Sequence, residues 1–365
     1  TVQRPVKDEA PAKGKKAVKR AKNNLGRPTR VMLLCHMDEI GFYVTHIDDK
    51  GFTFPSSFAF CPDSSLCAGS SSNRESTRVW NVRSKKLIWK RDKIEGFVFF
   101  SRDGAKLYCV NEDLMILDAK TGALKHPDQP HRHVASNAER GNPLEAPVMM
   151  YHEGYYYFVV TYGLAAQGIR STYRMVCGRS KSPEGPFLGF DDKPMTEGGH
   201  AFLLKSSEPM YGPGGGNFFQ DADGAWWMAY HYYDGRRFWH GDLWGAPTLQ
   251  IRRVVWHDGW PLPGLPAGVD LERAESLLGT WRFQSDFGHV LDLVLERDGT
   301  TTLGDRKGTW QREGDLLKLS WPANDAPDGA WVDSLVVDPS HRYAVGRNQN
   351  GIIIRAIQRE HEPAR

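Results

Sequence analysis

At 365 residues, 40% hydrophobic and 25% charged, the chain has the make-up of a globular protein of roughly two or three domains, not of a disordered or fibrous one. Its 12 Trp, 13 Tyr and 17 Phe, with 37 Gly and 22 Pro, favour many short strands and turns over helices. Net charge is +3, but residues 1–30 carry ten Lys/Arg against two Asp/Glu, and the other 37 basic and 42 acidic residues leave −5, which excludes a body built to bind polyanions such as nucleic acid.

Residues 1–28, rich in Lys, Ala and Pro with no sustained period, read as a basic, disordered, solvated tail. They lack the charged-then-apolar plan of a signal peptide. No apolar run in the chain is long enough to span a bilayer, so no membrane partner is expected. Localisation is left open. The five cysteines, at 35, 61, 67, 109 and 177, follow no disulfide framework and are expected to be reduced.

Residues 29–57 read as a hairpin that includes Arg30-Val-Met-Leu-Leu-Cys-His-Met-Asp38. This stretch resembles the deblocking-aminopeptidase family, whose dinuclear metal site takes one ligand from a His-x-Asp such as His36-Met-Asp38. The resemblance stops near Phe54. A dinuclear site needs several convergent ligands, and the motifs that would bring the others are absent. The expectation is therefore a β-hairpin with a polar pair at its edge, not a working metallopeptidase.

Residues 58–124 hold two strand–turn units about 40 residues apart. Phe58–Leu66 runs to Thr77–Val82 and Lys86–Trp89, and Val98–Tyr108 runs to Leu114–Gly122. The Asp63-Ser-Ser and Asp103-Gly turns and the Trp80-Asn81 pair give this segment a resemblance to WD-repeat blades. Residues 125–141 carry His126, His131 and His133 without an accompanying Cys or carboxylate cluster. They read as a solvated linker, not a metal clip.

The stretch 142–261 is the most informative. Asn142-Pro-Leu-Glu-Ala-Pro147 leads into the aromatic strand Tyr155–Val160. Ser171-Thr-Tyr173, Gly178-Arg-Ser180 and Gly185-Pro186 follow, then Tyr211-Gly-Pro-Gly-Gly-Gly-Asn217, Tyr230-His231 and Trp256–Pro261. Asp223-Gly224 between Phe218-Phe219 and Trp226-Trp227 is a hairpin signal. The glycine run is not a phosphate loop, since no Lys-Ser/Thr follows it. These ordered motifs resemble the last two blades of glycoside hydrolase family 43, in its arabinanase branch, whose members are five-bladed propellers, usually secreted or periplasmic.

Residues 262–276, proline-rich and then acidic, read as a linker. Residues 277–357 read as a separate β unit: Leu291, Leu293 and Leu295 alternate with polar or smaller residues, and Gly308-Thr-Trp310 echoes Gly279-Thr-Trp281. This region resembles the lipocalin-like barrel that follows arabinanase propellers, and its tryptophans are expected to fill the barrel. The fold class is thus all-β: a propeller of four to five blades at 58–261, closed or open, followed by a small antiparallel barrel.

Glycoside hydrolysis needs one carboxyl group to protonate the leaving oxygen and another to activate water or attack. The resemblance implies inversion, with Glu145 as general acid. The apolar strand behind Glu145 is expected to shield its carboxyl from water. The resemblance also points to Arg170, Tyr173, Tyr211, Asn217 and His231 as sugar-binding residues. The family's two aspartates are not legible. Asp38, Asp63, Asp103, Asp113 and Asp118 precede Glu145, but none stands in the family's motif. Related enzymes carry, after Gly-Pro-Gly, a His facing a central ion. Here Gly215 stands there, so neither a cation nor another cofactor is expected. The implied function is inverting hydrolysis of α-L-arabinan or a similar plant polysaccharide, weakened or absent for want of a base. The alternatives are a non-catalytic propeller binding glycan or protein, or a mosaic reading frame without a selected function.

Overall fold

A computed structural model of the protein describes residues 57–359, except 72–75, 95, 111–112, 138, 140, 142, 222 and 238–243. The basic tail, Cys35, His36, Asp38 and nearly all of the 29–57 segment lie outside the described residues.

The described chain is all-β apart from three short 3-10 turns. Its first four sheets are antiparallel meanders. Blade 1 comprises β1 (Ser57–Phe60), β2 (Leu66–Ser71), β3 (Ser76–Asn81) and β4 (Leu87–Asp92). Blade 2 comprises β5 (Phe97–Phe100), β6 (Lys106–Val110) and β7 (Leu114–Asp118). Blade 3 runs β8 (Leu144–His152), β9 (Tyr155–Tyr162), β10 (Arg174–Ser180) and β11 (Ala201–Leu204). Blade 4 runs β12 (Met210–Gln220), β13 (Trp226–Asp234), β14 (Ala246–His257) and β15 (Trp260–Pro266). The first strands lie in sequence against one another, β1 on β5, β5 on β8 and β8 on β12, which makes them the inner strands of a propeller-like array.

The turns distinguish the two ends of this array. Gly104 sits against Cys61 and Pro62, and the Arg102 guanidinium lies 5.0 Å from the centre of the Tyr151 ring. The β1–β2, β5–β6 and β8–β9 turns therefore share one end. Glu145, at the start of β8, stands at the other.

Two expectations change. Residues 262–266 of the expected linker belong instead to a strand, Trp260–Pro266, with Pro261, Pro263 and Pro266 in it. β15 is the outermost strand of its blade, where a missing N–H costs no ladder bond. The 125–141 stretch is only partly solvated: the Lys125 N–H bonds the Ile116 carbonyl at 2.8 Å, Arg132 bridges to Leu114, and Val134 and Ala135 are buried.

The last eight strands close into an up-and-down barrel. They are β16 (Gly279–Ser285), β17 (Val290–Leu295), β18 (Thr300–Leu303), β19 (Arg306–Glu313), β20 (Leu316–Pro322), β21 (Ala330–Val337), β22 (Tyr343–Asn348) and β23 (Ile353–Gln358). Trp281 and Trp321 are fully buried with leucines at its centre, so large side chains fill the interior as expected. Trp310 packs on that core from the side.

The barrel also shares a core with the propeller. Phe287, Tyr343, Val345 and Ile353 cluster with Leu203, Trp260 and Leu262. Arg347 is 2% exposed and reaches from the barrel to the Phe202 carbonyl at 2.7 Å and the Pro261 carbonyl at 3.4 Å. Burial draws its guanidinium down to about 10, still charged at neutral pH. His257, nearly buried at the same interface, contacts Ser334 Oγ at 2.9 Å.

Burial pulls the His257 imidazole below its ordinary value, against the opposing pull of Asp258 at 3.3 Å. A depressed folded value means that the unfolded chain binds the proton first as pH falls. Stability is then full above the unfolded pKa of about 6.5 and is lost as pH falls toward the folded value. Thermal unfolding followed from about pH 7 to about pH 5 should show a falling Tm, with a shallower slope in His257→Gln. An unchanged slope would remove His257 from this account.

A second expectation concerns the seam between blades 3 and 4. A Cβ at Gly214 would overlap the Tyr173 ring and stand 2.6 Å from Thr161 Cγ2, whereas one at Gly216 would meet the flexible end of Met175. Gly214→Ala should cost about 1–3 kcal/mol by overpacking. Gly216→Ala should cost less, because methionine adapts. Denaturant unfolding of the two variants checks the order.

Candidate active site

Glu145 is positioned by a β-bulge. β8 pairs Glu145 with Thr161 and next Val148 with Val159, so one extra residue is inserted between them. Ala146 takes the bulge conformation with φ of 47°, a region that costs a non-glycine residue on the order of 1–3 kcal/mol. Pro147 follows, buried and without an N–H to leave unpaired. Such a bulge turns a side chain out of the regular alternation. Glu145 is accordingly exposed, and the apolar shielding expected from the strand begins only at Val148.

Its polar contact is Tyr173. The buried Tyr173 hydroxyl donates to Glu145 Oε2. The other carboxyl oxygen, Oε1, points to no described donor in this bond, so one oxygen is oriented while the second can face a substrate. The Tyr173 ring lies 6.0 Å from the His231 ring, and His231 pairs with Gly214 across β12 and β13. Thr161 completes the group, its Oγ1 accepting the Gly215 N–H at 3.1 Å. The structure thus gathers Glu145, Tyr173 and His231 around the glycine run.

The other three residues expected to meet sugar are more dispersed. Arg170 is exposed at the end of the 3-10 turn Gly168–Arg170. That turn is fastened to blade 4 by the Ile169 N–H on the Trp244 carbonyl at 2.8 Å. Tyr211 packs its ring over Gly235 at the entry to the same loop. Asn217 is exposed three residues beyond Gly214 on the inner strand, its Oδ1 accepting the Phe218 N–H at 2.8 Å. Thr161 is the contributor that sequence reasoning missed. It sits inside a run of aromatic and β-branched residues, Tyr155–Tyr162, with no local mark to distinguish it.

The aspartates separate by end. Asp63 accepts from Cys61 Sγ at 2.7 Å and from the Ser65 N–H at 2.9 Å, and these bonds hold it to about 2. Asp103 accepts from Ser101 Oγ at 2.5 Å and the Ala105 N–H at 3.0 Å, and Asp118 from the Thr121 hydroxyl and N–H, both at 2.8 Å. The same bonds keep Asp103 and Asp118 below the usual carboxylate range. All three cap turns at the end remote from Glu145. Asp113 lies in the β6–β7 turn, at the Glu145 end, with its carboxylate 3.8 Å from His131 Nδ1 and 3.7 Å from His133 Nδ1.

A central cation finds no side-chain ligand at Gly215, whose N–H is engaged by Thr161. Among the described residues no group of three or more His, Cys, Asp and Glu is arranged to hold a metal ion. The four described cysteines are free, and burial pushes Cys109 and Cys177 up to about 12, which makes them inert as nucleophiles.

A family model described as M42 glutamyl aminopeptidase matches residues 17–54, all outside the described part. The extracellular endo-α-(1→5)-L-arabinanase 1 of Bacillus subtilis (strain 168) is 37% identical over 128 residues, 35% of this chain and 36% of that protein. The arabinan endo-1,5-α-L-arabinosidase C of Emericella nidulans is 30% identical over 139 residues, 35% of this chain and 41% of that protein. The chain therefore spans less than half the length of these relatives. In fold, it is similar to the endo-1,5-α-L-arabinanase of Thermotoga petrophila RKU-1, with a TM-score of 0.60 at 18% identity over 81% of this chain and 80% of the other. The family 43 glycoside hydrolase YxiA of Bacillus licheniformis also gives 0.60 at 18% identity, over 83% of each chain. The model of glycosyl hydrolases family 43 matches residues 71–261, taking in most of the WD-like segment as well as the Glu145 bulge. That match covers more than half of the 365 residues, and the chain belongs to glycosyl hydrolases family 43.

Proposed function

We propose that the chain hydrolyses α-1,5-linked L-arabinan by inversion, with Glu145 as general acid. One observation carries this reading: a bulge within the family-matched stretch turns Glu145 outward at the end of an inner strand, where Tyr173 holds one of its oxygens. The names of the Bacillus subtilis and Emericella nidulans relatives supply the substrate class. Asp113 is the proposed second carboxylate, since it alone of the four described aspartates singled out in the sequence stands at the Glu145 end.

In this reading protonated Glu145 gives its proton to the glycosidic oxygen as the bond from that oxygen to the anomeric carbon breaks. Asp113 takes a proton from the water that attacks the anomeric carbon from the opposite face. The water oxygen forms the new bond, and the configuration inverts. Tyr173 orients the acid. Arg170, Tyr211, Asn217 and His231 are assigned to the sugar. The barrel is read as the lipocalin-like companion of such propellers, and the strands at 58–124 as blades that complete the cleft wall.

A second reading, a non-catalytic glycan-binding propeller, is favoured by one observation: Asp63, Asp103 and Asp118 are all turned away and committed to turns. Turnover of debranched arabinan decides between the two. The hydrolytic reading expects Glu145→Gln to lose about 10²–10⁴-fold on polymer while sparing aryl arabinosides whose leaving group needs no proton. Asp113→Asn should lose activity on both substrates, and Asp103→Asn should lose none. Arabinan binding without turnover by the wild type would leave the binding reading standing, and measurable polymer rates equal in wild type and Glu145→Gln would remove Glu145 as the acid.

A further inference from the structure

We propose that the far end of the propeller, away from Glu145, carries a second binding site that takes a carboxylate-bearing sugar, a uronate. The site is a cavity of about 430 Å³ between the β5–β6 turn of blade 2 and the β8–β9 hairpin of blade 3. Its volume suits one or two sugar units, at the small end of ligand pockets.

The floor of the cavity is the Tyr108 phenol. Tyr108 is 2% exposed, and its hydroxyl has no hydrogen-bond partner among the described residues. The hydroxyl faces the cavity and is free to donate to a ligand oxygen. Burial pushes this phenol well above its ordinary value, so it stays a neutral donor. The Tyr156 phenol stands beside it on the wall, also raised by burial.

Two cations converge on the mouth, Arg102 and the half-buried Lys106. Arg102 is held in place, its guanidinium 5.0 Å from the centre of the Tyr151 ring, which packs edge-on against Tyr156 at 4.9 Å. A guanidinium fixed on an aromatic ring presents a planar pair of donors matched to a carboxylate. Asp103 is the opposing charge, but its Oδ1 is engaged by Ser101 and the Ala105 N–H. Glu184, the other acid that Tyr108 senses, is paired with Lys125 and with Arg132 at 3.3 Å. Arg102 and Lys106 against Asp103, which stays ionised with Lys106 among its charge partners, leave the lining with a net charge of +1 and two phenol donors, which favours an anionic sugar over a neutral one.

The choice of a sugar over other organic carboxylates rests on the proposed polysaccharide function. The cationic, phenol-floored geometry does not. The test is calorimetric titration of the full chain with D-galacturonate, D-galactose and acetate as probes. Galacturonate should bind one site, with D-galactose and acetate each weaker by about tenfold or more. Arg102→Gln, an exposed substitution, should weaken galacturonate by about tenfold, and Tyr108→Phe by several fold, with arabinan turnover unchanged in both. Equal affinity for galactose and galacturonate, acetate as strong as galacturonate, or no effect of Arg102→Gln would overturn the proposal. Galacturonate binding without arabinan turnover refutes only the hydrolytic reading. Arabinan turnover without galacturonate binding refutes only this one.

Discussion

The candidate site depends on how closely blade 4 approaches blade 3. The seam is the glycine run 212–216 on β12, which lies against β8, β9 and β10. Side chains at Gly212, Gly214 and Gly216 would collide with Ser171, with Tyr173 and Thr161, and with Met175 in turn. Only because these positions are bare can the β12 backbone reach Thr161 and hold Tyr173 under Glu145. Interiors packed to crystal-like density leave little slack at Gly214, where the neighbours are a ring and a β-branched side chain. Glycines that carry no chemistry of their own thus fix the orientation of the Glu145 carboxyl, the proposed acid.

The barrel meets the propeller through a buried cation with no carboxylate beside it among the described residues. Arg347 is answered instead by the carbonyls of Phe202, Pro261 and Gly351. Its Nε has no hydrogen-bond partner among the described residues. Carbonyl dipoles offset part of the cost of taking a guanidinium out of water, and Tyr343 adds a bond to the Pro263 carbonyl at 2.8 Å. Together with the shared core of Phe287, Tyr343, Val345 and Ile353, these bonds fix the barrel against the outer strands of blades 3 and 4.

Much of this was legible in the residues. Period-two patterning and Asp-Gly turns located the strands of 58–124 and 142–258, and the repeated Gly-Thr-Trp marked two barrel strands. The prolines of 261–266 misled, because their meaning depends on whether a strand is at an edge, which is a tertiary fact. Glu145 was readable from its Glu-Ala-Pro setting, but its exposure was not, since Ala146 gives no sign that it will adopt positive φ. The aspartates could not be sorted by sequence at all. Asp63, Asp103 and Asp113 each sit in a short polar turn, and only strand direction separates the two ends of the propeller. Tyr108 illustrates the same limit: in sequence it is one more aromatic in a strand, and its bare hydroxyl emerges only from what fails to pack over it.

The bonds from Arg347 and Tyr343 have a further consequence. Their acceptors, Phe202, Pro261 and Pro263, lie on β11 and β15, the terminal strands of their sheets. An uncovered terminal strand offers a row of backbone groups to any passing chain. The barrel occupies those acceptors, and prolines remove donors from β15 as well. In that sense the C-terminal barrel is a guard against self-association. Proteolysis that clipped it away would bare both those acceptors and the apolar core that the barrel shares with the blades.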